Sequence, residues 1–369
     1  MNEFALHGSS GAARSGTLHL RHGDVQTPAF MPVGTAATVK GLTPDDLHEC
    51  GAEMILANSY HLWLRPGLET IVAAGGLHEF MQWDRPILTD SGGFQIFSLQ
   101  ERCTLNEEGV SFASHLDGSR HFFTPEMVVG FQEAIGADIA MVLDVCIKLP
   151  APQTAVDEAV RITSRWARRA QGCRRDSGTL LFAIMQGGLD ERARERSAAD
   201  LLQLDFPGYA IGGLSVGESR EEMRRMARFS ARLLPDEKPR YLMGVGTVPD
   251  LISAIDCGID MFDCVYPTRC GRNGRALTRS GELNIKNSAF VRDFDTLDSQ
   301  CRCSVCRRFS RAYLCHLFRA HEMLGPRLLS YHNLFVLAAL MGEARTAIVN
   351  GTWGDFRDAV LDGVTQGTQ

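Results

Sequence analysis

The sequence predicts a (β/α)8 barrel of the TIM type from three observations. Short apolar runs recur along the chain, each run stops at a polar or glycine-rich tip, and amphipathic segments with helical spacing lie between several runs. Strands that alternate with helices form parallel sheets, and this many units favours a closed barrel. An open doubly wound sheet is the alternative, but no G-x-G-x-x-G lies at a first strand–helix turn, which weakens it.

Seven apolar runs are the predicted barrel strands. They are MILANSY (54–60), PILTDSGG (86–93), DIAMVLDVC (138–146), LLFAIMQGG (180–188), YAIGGLSVG (209–217), YLMGVG (241–246) and DMFDCVYP (260–267). Helices are predicted over 154–171 and 218–234, where apolar residues recur at three-and-four spacing. Segment 100–123 breaks the alternation, and its Asp117-Gly118 turn signal predicts a hairpin inserted beside the barrel mouth.

The polar tips of these runs predict where the active site lies. In such barrels, active sites lie at the carboxyl ends of the strands. We therefore expect five tips to face one mouth: Asp90, Asp144, Gln186, Gly213 and Asp263.

Composition sets the class of protein. A single catalytic barrel domain over residues 1–369 fits the length, and 44% hydrophobic with 22% charged residues is typical of a globular protein with a large core. The first residues show no apolar run behind a basic stretch, and no window approaches a membrane span. Eleven cysteines without a secretion signal favour thiols or metal ligands in a reducing compartment, so we expect a cytoplasmic protein.

Charge is distributed unevenly along the chain. Residues 264–330 carry twelve Lys or Arg and five Asp or Glu, so this stretch is +7, whereas the net charge of −6 leaves −13 for the remainder. A basic zone on an acidic body suits a protein that holds phosphates on one face. An ordinary solvated surface explains the same numbers equally well.

A cluster of cysteines predicts a metal site. Cys301, Cys303 and Cys306 lie within six residues, a spacing that is hard to explain as packing of buried free thiols. Three thiolates and one imidazole complete a tetrahedral zinc shell without an open position for water, so the zinc would be structural. By spacing alone, His316, His321 and His332 all remain candidates for the fourth ligand.

Two aspartates are candidates for the chemistry. Asp90 precedes Ser91, Gly92 and Gly93, where backbone N–H groups can approach a ligand closely, although an Asx turn or helix cap is the plainer interpretation. Asp263 interrupts an apolar strand, where a carboxylate is costly to bury unless it is paired or functional. A buried ion pair with Arg269 or Arg272 is its structural alternative.

An acid and an amide at neighbouring strand ends suit recognition of a purine-like base. The Asp144 carboxylate can accept from N–H groups, and the Gln186 amide offers a donor and an acceptor. Gly213 and Leu214 let the backbone approach the same ligand. Phe94 and Met243 are candidates to sandwich a base, although core packing is the plainer interpretation of either alone.

Together these pieces resemble the tRNA-guanine transglycosylase (queuine tRNA-ribosyltransferase) family in its bacterial form. The matching motifs run from about residue 5 to about residue 350. They are TPAFMPVGT (27–35), NSYHLWLRPG (58–67), TDSGGFQIFSL (89–99), MQGG (185–188), AIGGLSVGE (210–218), YLMGVG (241–246), DMFDCVYPTRCGRNG (260–274) and the Cys-x-Cys-x2-Cys…His pattern. The resemblance implies a barrel with a zinc-bearing insertion, at about 285–335 here, and a homodimer. It also selects His332 as the fourth zinc ligand.

The resemblance implies an activity as well. The family exchanges the wobble guanine of tRNAs with a GUN anticodon for a 7-deazaguanine, without cutting the backbone, in queuosine biosynthesis. It implies that Asp263 is the nucleophile of a covalent ribosyl–enzyme and that Asp90 is the general acid/base. It implies that Asp144, Gln186 and Gly213 recognise the base. Two segments match the loops that contact the tRNA anticodon loop. They are Gly244, Val245, Gly246, Thr247, Val248, Pro249 and Asp250, and Thr268, Arg269, Cys270, Gly271 and Arg272.

One departure bears on the incoming base. Bacterial members commonly have Asp-Glu-Cys where this chain has Asp144, Val145 and Cys146, so a carboxylate beside the expected base pocket is missing. Val216 is nevertheless the bulky bacterial choice rather than the small residue of queuine-using relatives. We expect the prequeuosine base, 7-aminomethyl-7-deazaguanine; direct use of queuine, or a non-catalytic RNA-binding subunit, is the alternative.

Overall fold

In the computed structural model, which describes residues 3–98, 103–175 and 177–366, eight parallel strands close into a barrel. Numbered along the chain, they are β4 (Ala29–Gly34), β5 (Ile55–Asn58), β6 (Ile87–Asp90), β10 (Ile139–Met141), β11 (Leu180–Met185), β12 (Gly208–Ile211), β13 (Arg240–Leu242) and β14 (Met261–Cys264). Each strand pairs in parallel with its neighbours, and β14 pairs with β4 to close the ring. The predicted (β/α)8 barrel is confirmed.

Each of the seven predicted apolar runs overlaps a barrel strand, and β12 and β13 begin one residue before their runs. These strands are almost wholly buried, because helices cover a parallel sheet from outside and side chains fill the barrel from within. The eighth strand, β4, was not predicted as one. It contains Pro32, which lies opposite Cys264 of β14 and lacks the N–H that an ordinary strand residue donates.

Fifteen α-helices are described in these residues. They are α1 (Pro44–Glu49), α2 (Ser59–Leu64), α3 (Leu68–Ala73), α4 (Leu77–Met81), α5 (Gly93–Ser98), α6 (Pro125–Ala134), α7 (Gln153–Gly172), α8 (Glu191–Leu202), α9 (Arg220–Leu233), α10 (Val248–Ile255), α11 (Tyr266–Arg272), α12 (Ser304–Arg308), α13 (Arg311–Arg319), α14 (Leu324–Val349) and α15 (Trp353–Gln366). The predicted helices correspond to α7 and α9. Helix α14 packs on α11 and β4 and so covers the seam where the barrel closes. None of these helices combines the length and apolarity needed to cross a bilayer.

Three small antiparallel sheets lie outside the barrel. They are β1–β3 (Phe4–Ser10, Ala13–Leu20, Gly23–Thr27), β7–β9 (Cys103–Leu105, Val110–Ala113, Arg120–Phe123) and β15–β16 (Arg275–Thr278, Gly281–Asn284). Strands β8 and β9 are the predicted hairpin, and Gly118 adopts φ +76° in its turn. Its ring contact and hydrogen bond from His115 to Tyr60, just after β5, place it beside the mouth as expected. Residues 100–102 of the predicted segment lie outside the described residues.

At the amino-terminal end of the barrel, the floor, two buried aspartates anchor distant segments. Asp260, before β14, accepts hydrogen bonds of 2.8 and 2.6 Å from Arg14 and one of 2.7 Å from the Arg240 backbone. Asp138, before β10, lies 2.8 Å from a ring nitrogen of His22 and 3.1 Å from one of His78. Both carboxylates therefore have basic partners.

Candidate active site

A cavity of about 590 Å³ opens at the carboxyl ends of the barrel strands. Asp90, Asp144, Gly213 and Asp263 line it, and Gln186 lies against it through a hydrogen bond to Asp144. The five predicted tips are thus brought to one mouth. A larger cavity of about 930 Å³ lies between α14 and α15, but of the predicted site residues it includes only Val248 and Cys301. Chemistry, not size, identifies the candidate site.

Asp90 ends β6 and is held by neutral donors. Its Oδ2 accepts from Asn58 Nδ2 at 2.6 Å, and its Oδ1 accepts from the backbone N–H groups of Ser59 at 3.3 Å and Gly92 at 3.1 Å. The hydrogen bond from the Gly92 N–H closes an Asx turn, so the Asx-turn interpretation of Asp90 is confirmed. Burial, and then repulsion by Asp263, raises the pKa of Asp90 to about 7 despite these bonds.

Asp263 lies across the same cavity without a cationic partner. Its Oδ1 accepts from the Tyr241 hydroxyl at 2.5 Å and from the Gly244 backbone at 2.9 Å. Within the described residues no donor reaches its Oδ2, and neither Arg269 nor Arg272 forms the ion pair that was the structural alternative. Burial raises the pKa of Asp263, while the Tyr241 and Gly244 bonds oppose the shift. One carboxylate oxygen therefore stays available to a ligand.

Asp144 and Gln186 form a second polar pair in the mouth. Gln186 Nε2 donates to Asp144 Oδ2 at 2.7 Å, and the Ser91 hydroxyl lies 3.4 Å from Asp144 Oδ1. Burial raises the pKa of Asp144 to about 6. Gln186 Oε1 is buried without a hydrogen-bond partner in the described part of the chain. A buried acceptor of this kind is costly unless a ligand satisfies it.

Glycines let the backbone close on this pair. A Cβ at Gly93 would lie 2.6 Å from Asp144 Oδ1, and one at Gly213, whose φ is +65°, would lie 2.5 Å from Gln186 Oε1. Gly92, at φ +79°, would meet the Tyr60 side chain at 2.7 Å. These three positions cannot accept a methyl group without displacing a polar or aromatic side chain of the site.

The predicted base-stacking residues differ in their surroundings. Phe94 lines the cavity and is 55% exposed, so core packing is wrong for it. Met243 lines the cavity and also packs against the main core, so core packing is confirmed for it, and its role in stacking a base stays a prediction. Leu214 is buried in the cavity wall. An exposed aromatic ring at a polar mouth suits a flat ligand.

Val145 does not contact the cavity. Its side chain packs in an apolar cluster with Tyr60 and Phe112, and its backbone N–H donates to Thr163 at 3.0 Å. The expectation that position 145 lies beside the pocket is therefore corrected: its neighbours Asp144 and Cys146 line the cavity, whereas the Val145 side chain packs into the apolar cluster. Val216 does line the cavity.

The two predicted RNA-contacting segments surround the same mouth. Gly244 to Thr247 and Asp250 line the cavity. Val248, Pro249 and Asp250 form the first turn of α10, which Thr247 caps. Residues 268–272 belong to α11, where Thr268, Cys270 and Gly271 are buried. Gly271 packs so closely on α14 that a Cβ would lie 2.6 Å from the Ser330 nitrogen. Arg269 is exposed at the mouth and Arg272 is half-buried.

A four-residue cluster that could hold a metal ion forms between α12 and α14. Sulfurs of Cys301, Cys303 and Cys306 lie 3.8, 3.3 and 3.4 Å from His332 Nδ1, and all four ligand atoms lie within 4.8 Å of one another. His332 Nε2 lies 2.7 Å from the Leu277 carbonyl, a partner that leaves Nδ1 free to bind metal. His332 is thus the fourth member, as predicted. His316 and His321 lie outside the cluster.

Sequence reasoning missed three side chains of the candidate site: Asn58, Tyr241 and Cys146. Asn58 and Tyr241 hydrogen-bond the candidate catalytic carboxylates, and Cys146 lines the cavity. Asn58 ends β5, Tyr241 is the middle residue of β13, and Cys146 lies five residues beyond β10, all within motifs already noted. A rule that examines every polar residue at strand ends would have found Asn58 but not the other two.

Comparisons with known proteins agree on one family. A family model described as "Queuine tRNA-ribosyltransferase" matches residues 9–366. A queuine tRNA-ribosyltransferase of Pelotomaculum thermopropionicum is 53% identical over 354 residues, covering 95% of each chain. Those of Oleidesulfovibrio alaskensis and Bacillus licheniformis are each 52% identical, covering 97% and 98% of this chain and 95% of the relative.

Proposed function

The chain belongs to the queuine tRNA-ribosyltransferase family of pentosyltransferases, and we propose that it exchanges the wobble guanine of GUN-anticodon tRNAs for a 7-deazaguanine through a covalent ribosyl–enzyme. One observation carries the proposal: Asp90 and Asp263 share a buried cavity and have only neutral hydrogen-bond donors among the described residues. Carboxylates with raised pKa values in a cleft are typical of functional sites.

In the proposed first half-reaction, Asp263 attacks C1′ of the wobble nucleotide. The bond from C1′ to guanine N9 breaks, its electrons leave with guanine, and a C1′–O bond to Asp263 forms. The free Oδ2 of Asp263 supports this role, and Tyr241 and Gly244 hold the other oxygen. Since burial raises the pKa of Tyr241 well above its usual value, the hydroxyl keeps its proton for that bond.

In the second half-reaction, Asp90 removes the N9 proton from the incoming base. N9 then attacks C1′, and the C1′–O bond breaks to return the Asp263 carboxylate. A pKa of about 7 suits an acid/base that must work in both directions at neutral pH. The expelled guanine takes its proton in the reverse of the same step.

Recognition of the base is assigned to Asp144, Gln186 and Gly213. A guanine-like edge presents N–H donors and a carbonyl, which match the carboxylate, the unpartnered Gln186 Oε1 and the Gly213 backbone. Phe94 and Met243 would cover the two faces of the ring. Ser91, Gly92, Gly93 and Leu214 would complete the pocket wall.

The incoming base is proposed to be 7-aminomethyl-7-deazaguanine. The bulk of Val216 in the cavity wall supports the smaller base, and Val145, packed among apolar side chains, does not oppose it. Competition between this base and queuine for labelled tRNA tests the choice. Preferential incorporation of queuine would overturn it.

The covalent intermediate is tested on denaturing gels. Wild-type protein incubated with a GUN-anticodon tRNA should form a protein–tRNA adduct, and a tRNA without the wobble guanine should form none. Asp263→Ala should abolish the adduct and the exchange, because no other group replaces the lost nucleophile. An adduct that survives in the variant would show that Asp263 is not the nucleophile.

The tRNA anticodon loop is proposed to contact the two segments that border the mouth. Exposed Arg269 supports this, and half-buried Arg272 retains a guanidinium nitrogen without an acceptor in the described residues. For Thr268, Cys270 and Gly271, burial leaves little side chain for RNA, so a role in setting α11 is the simpler assignment. Membership in the family also favours a homodimer, which light scattering would test.

The metal is proposed to be one structural zinc ion per chain. Three thiolates and an imidazole suit zinc and leave no open position for chemistry. Native mass spectrometry should find one zinc ion, and Cys303→Ala should lose both the zinc and stability. Cys315→Ala, a buried thiol outside the cluster, is the matched control and should retain the metal. A native protein without zinc would overturn the assignment.

A further inference from the structure

One buried cation lies beneath the mouth. Arg194, on α8, is fully buried, and among the described residues no carboxylate forms an ion pair with it. Burial lowers the pKa of Arg194 to about 10. Burying a guanidinium without a paired acid is costly, so its retention calls for a reason other than charge pairing.

Its hydrogen bonds join two loops. Arg194 Nε donates to the Gly188 carbonyl at 2.8 Å, and Nη2 donates to the Gly212 carbonyl at 3.0 Å. Gly188 follows strand β11 and Gly212 follows strand β12. A planar guanidinium can reach two carbonyls at fixed separation, which a lysine ammonium cannot reproduce. This pair of hydrogen bonds from one guanidinium, called the fork below, therefore sets the distance between the ends of strands β11 and β12.

The same loops carry the proposed base-recognition groups. Gln186 lies two residues before Gly188, and Gly213 directly follows Gly212. A Cβ at Gly212 would lie 2.7 Å from Gln186 Nε2, so the Gln186 amide packs directly against the loop that follows β12. A Cβ at Gly187 would lie 2.7 Å from Arg194 Cγ, so the loop that follows β11 packs on the aliphatic part of the Arg194 side chain.

We propose that Arg194 is a positioning residue for base recognition, holding the Gln186 amide and the Gly213 backbone at the spacing a flat base requires. This inference rests on the proposed function and deepens it. Arg194 lies behind the loops and contacts the base only through them. Loss of the fork leaves two buried carbonyls unsatisfied and lets the loops separate, which weakens base binding.

Steady-state kinetics separate positioning from general stability. Arg194→Lys keeps the charge and loses the fork, and Arg194→Met removes both. We expect the KM for the free base to rise about tenfold or more in both variants, and the KM for tRNA to rise clearly less, because tRNA is also held by contacts outside the base pocket. All assays are run well below the lowest Tm of the set, so that only folded enzyme is compared.

The matched control is Arg14→Lys. Arg14 is also buried and also donates to two backbone carbonyls, those of Asp236 and Lys238, but at the floor of the barrel. This variant should lower the Tm and leave the KM for the base unchanged. An equal rise in that KM would show that general loosening is responsible and would overturn the proposal.

The possible results distinguish a failure of the positioning role from a failure of the proposed function. If wild-type enzyme incorporates the base and folded Arg194→Lys does so with an unchanged KM for it, the positioning role is wrong and the proposed function stands. If wild-type enzyme incorporates no base, the proposed function fails, and the inference fails with it. A selective rise in the KM for the base in Arg194→Lys supports both.

Discussion

The two ends of the barrel use the same residue type in opposite ways. Asp138 precedes strand β10 at the floor and Asp144 follows it at the mouth; Asp260 precedes strand β14 at the floor, and Asp263 lies near its carboxyl end. All four carboxylates are buried or nearly so. At the floor they face arginine or histidine side chains, whereas at the mouth their protein donors are hydroxyl, amide and backbone groups.

Burial alone therefore does not separate structural from functional carboxylates. It raises the pKa of Asp260 as well as that of Asp144, which reaches about 6. The floor carboxylates have a cationic or imidazole partner: Arg14 opposes the shift at Asp260, and bonds from His78, Ile87 and His22 take the pKa of Asp138 below its usual value. The described residues give the mouth carboxylates no such partner, so the compensating interaction has to come from a bound ligand.

Among the variants that test the difference between the mouth and the floor, Asp90→Asn should cause the largest loss of exchange activity. Asparagine keeps the shape but cannot take the proton, so exchange should fall by about 10²–10⁴-fold. In wild-type enzyme, the deprotonated form that takes the N9 proton is lost as pH falls through about 7, and the protonated form that serves the leaving guanine is lost as pH rises through it, so exchange should be greatest near pH 7. The variant should lack this maximum. Exchange assays with labelled base across pH measure both effects.

Stability gives an internal control for Asp90. Its folded pKa of about 7 lies above the ordinary 3.8, so the folded state binds its proton more tightly. Wild-type stability should therefore fall as pH rises through that window, and Asp90→Asn should escape this part of the loss. Near-normal exchange by the variant would contradict the acid/base role.

Asp260→Asn should produce the opposite signature at the floor. It leaves Arg14 buried without its partner, which is expected to reduce the free energy of unfolding by about 3–5 kcal/mol. Urea unfolding measures the loss. Exchange per folded molecule should stay within about twofold of wild type, and a specific kinetic defect in folded protein would break the distinction between the two ends.

Gly93→Ala should perturb the mouth with a single methyl group. The new Cβ would lie 2.6 Å from Asp144 Oδ1, so the carboxylate must shift and the KM for the base should rise roughly tenfold. Gly130→Ala on α6 is the control, because a Cβ there meets no atom within 4 Å. A KM unchanged in Gly93→Ala would mean that the pocket wall adapts without cost.

Arg269→Ala should give the smallest effect, since the residue lies on the rim. Loss of one phosphate contact weakens tRNA binding and reduces the slope of log K against log salt by about one. Filter binding at several salt concentrations measures that slope. A wild-type slope in the variant would place the tRNA backbone away from this residue.

The barrel was predictable from sequence because parallel strands are buried on both faces and appear as apolar runs. Strand β4 was not predicted, because Pro32 is untypical of a strand and because the strand forms only through pairing with β14 and β5. The sheet β1–β3 was not predicted either, because HGSSGAARSG has no apolar run. Helix α7, with its long amphipathic pattern, was predicted to within a residue at each end.

The site was predictable as a set of strand tips but not as a set of partners. Asn58 meets Asp90 because β5 and β6 pair in that register, and Tyr241 meets Asp263 across β13 and β14. Register is a property of the closed barrel, which a linear pattern does not contain. The Arg14–Asp260 pair, between residues 246 positions apart, was hidden for the same reason.

The pairing of β14 with β4 also sets an order of events during synthesis. Pro32 lies opposite Cys264, so strand β14 can pair with β4 only after most of the chain has left the ribosome. At about 5–20 residues per second, the first barrel strand waits on the order of ten seconds or more for its last neighbour. Throughout that interval one edge of the growing sheet is unpaired, so the nascent chain is most open to misassociation just before the strand that carries Asp263 arrives.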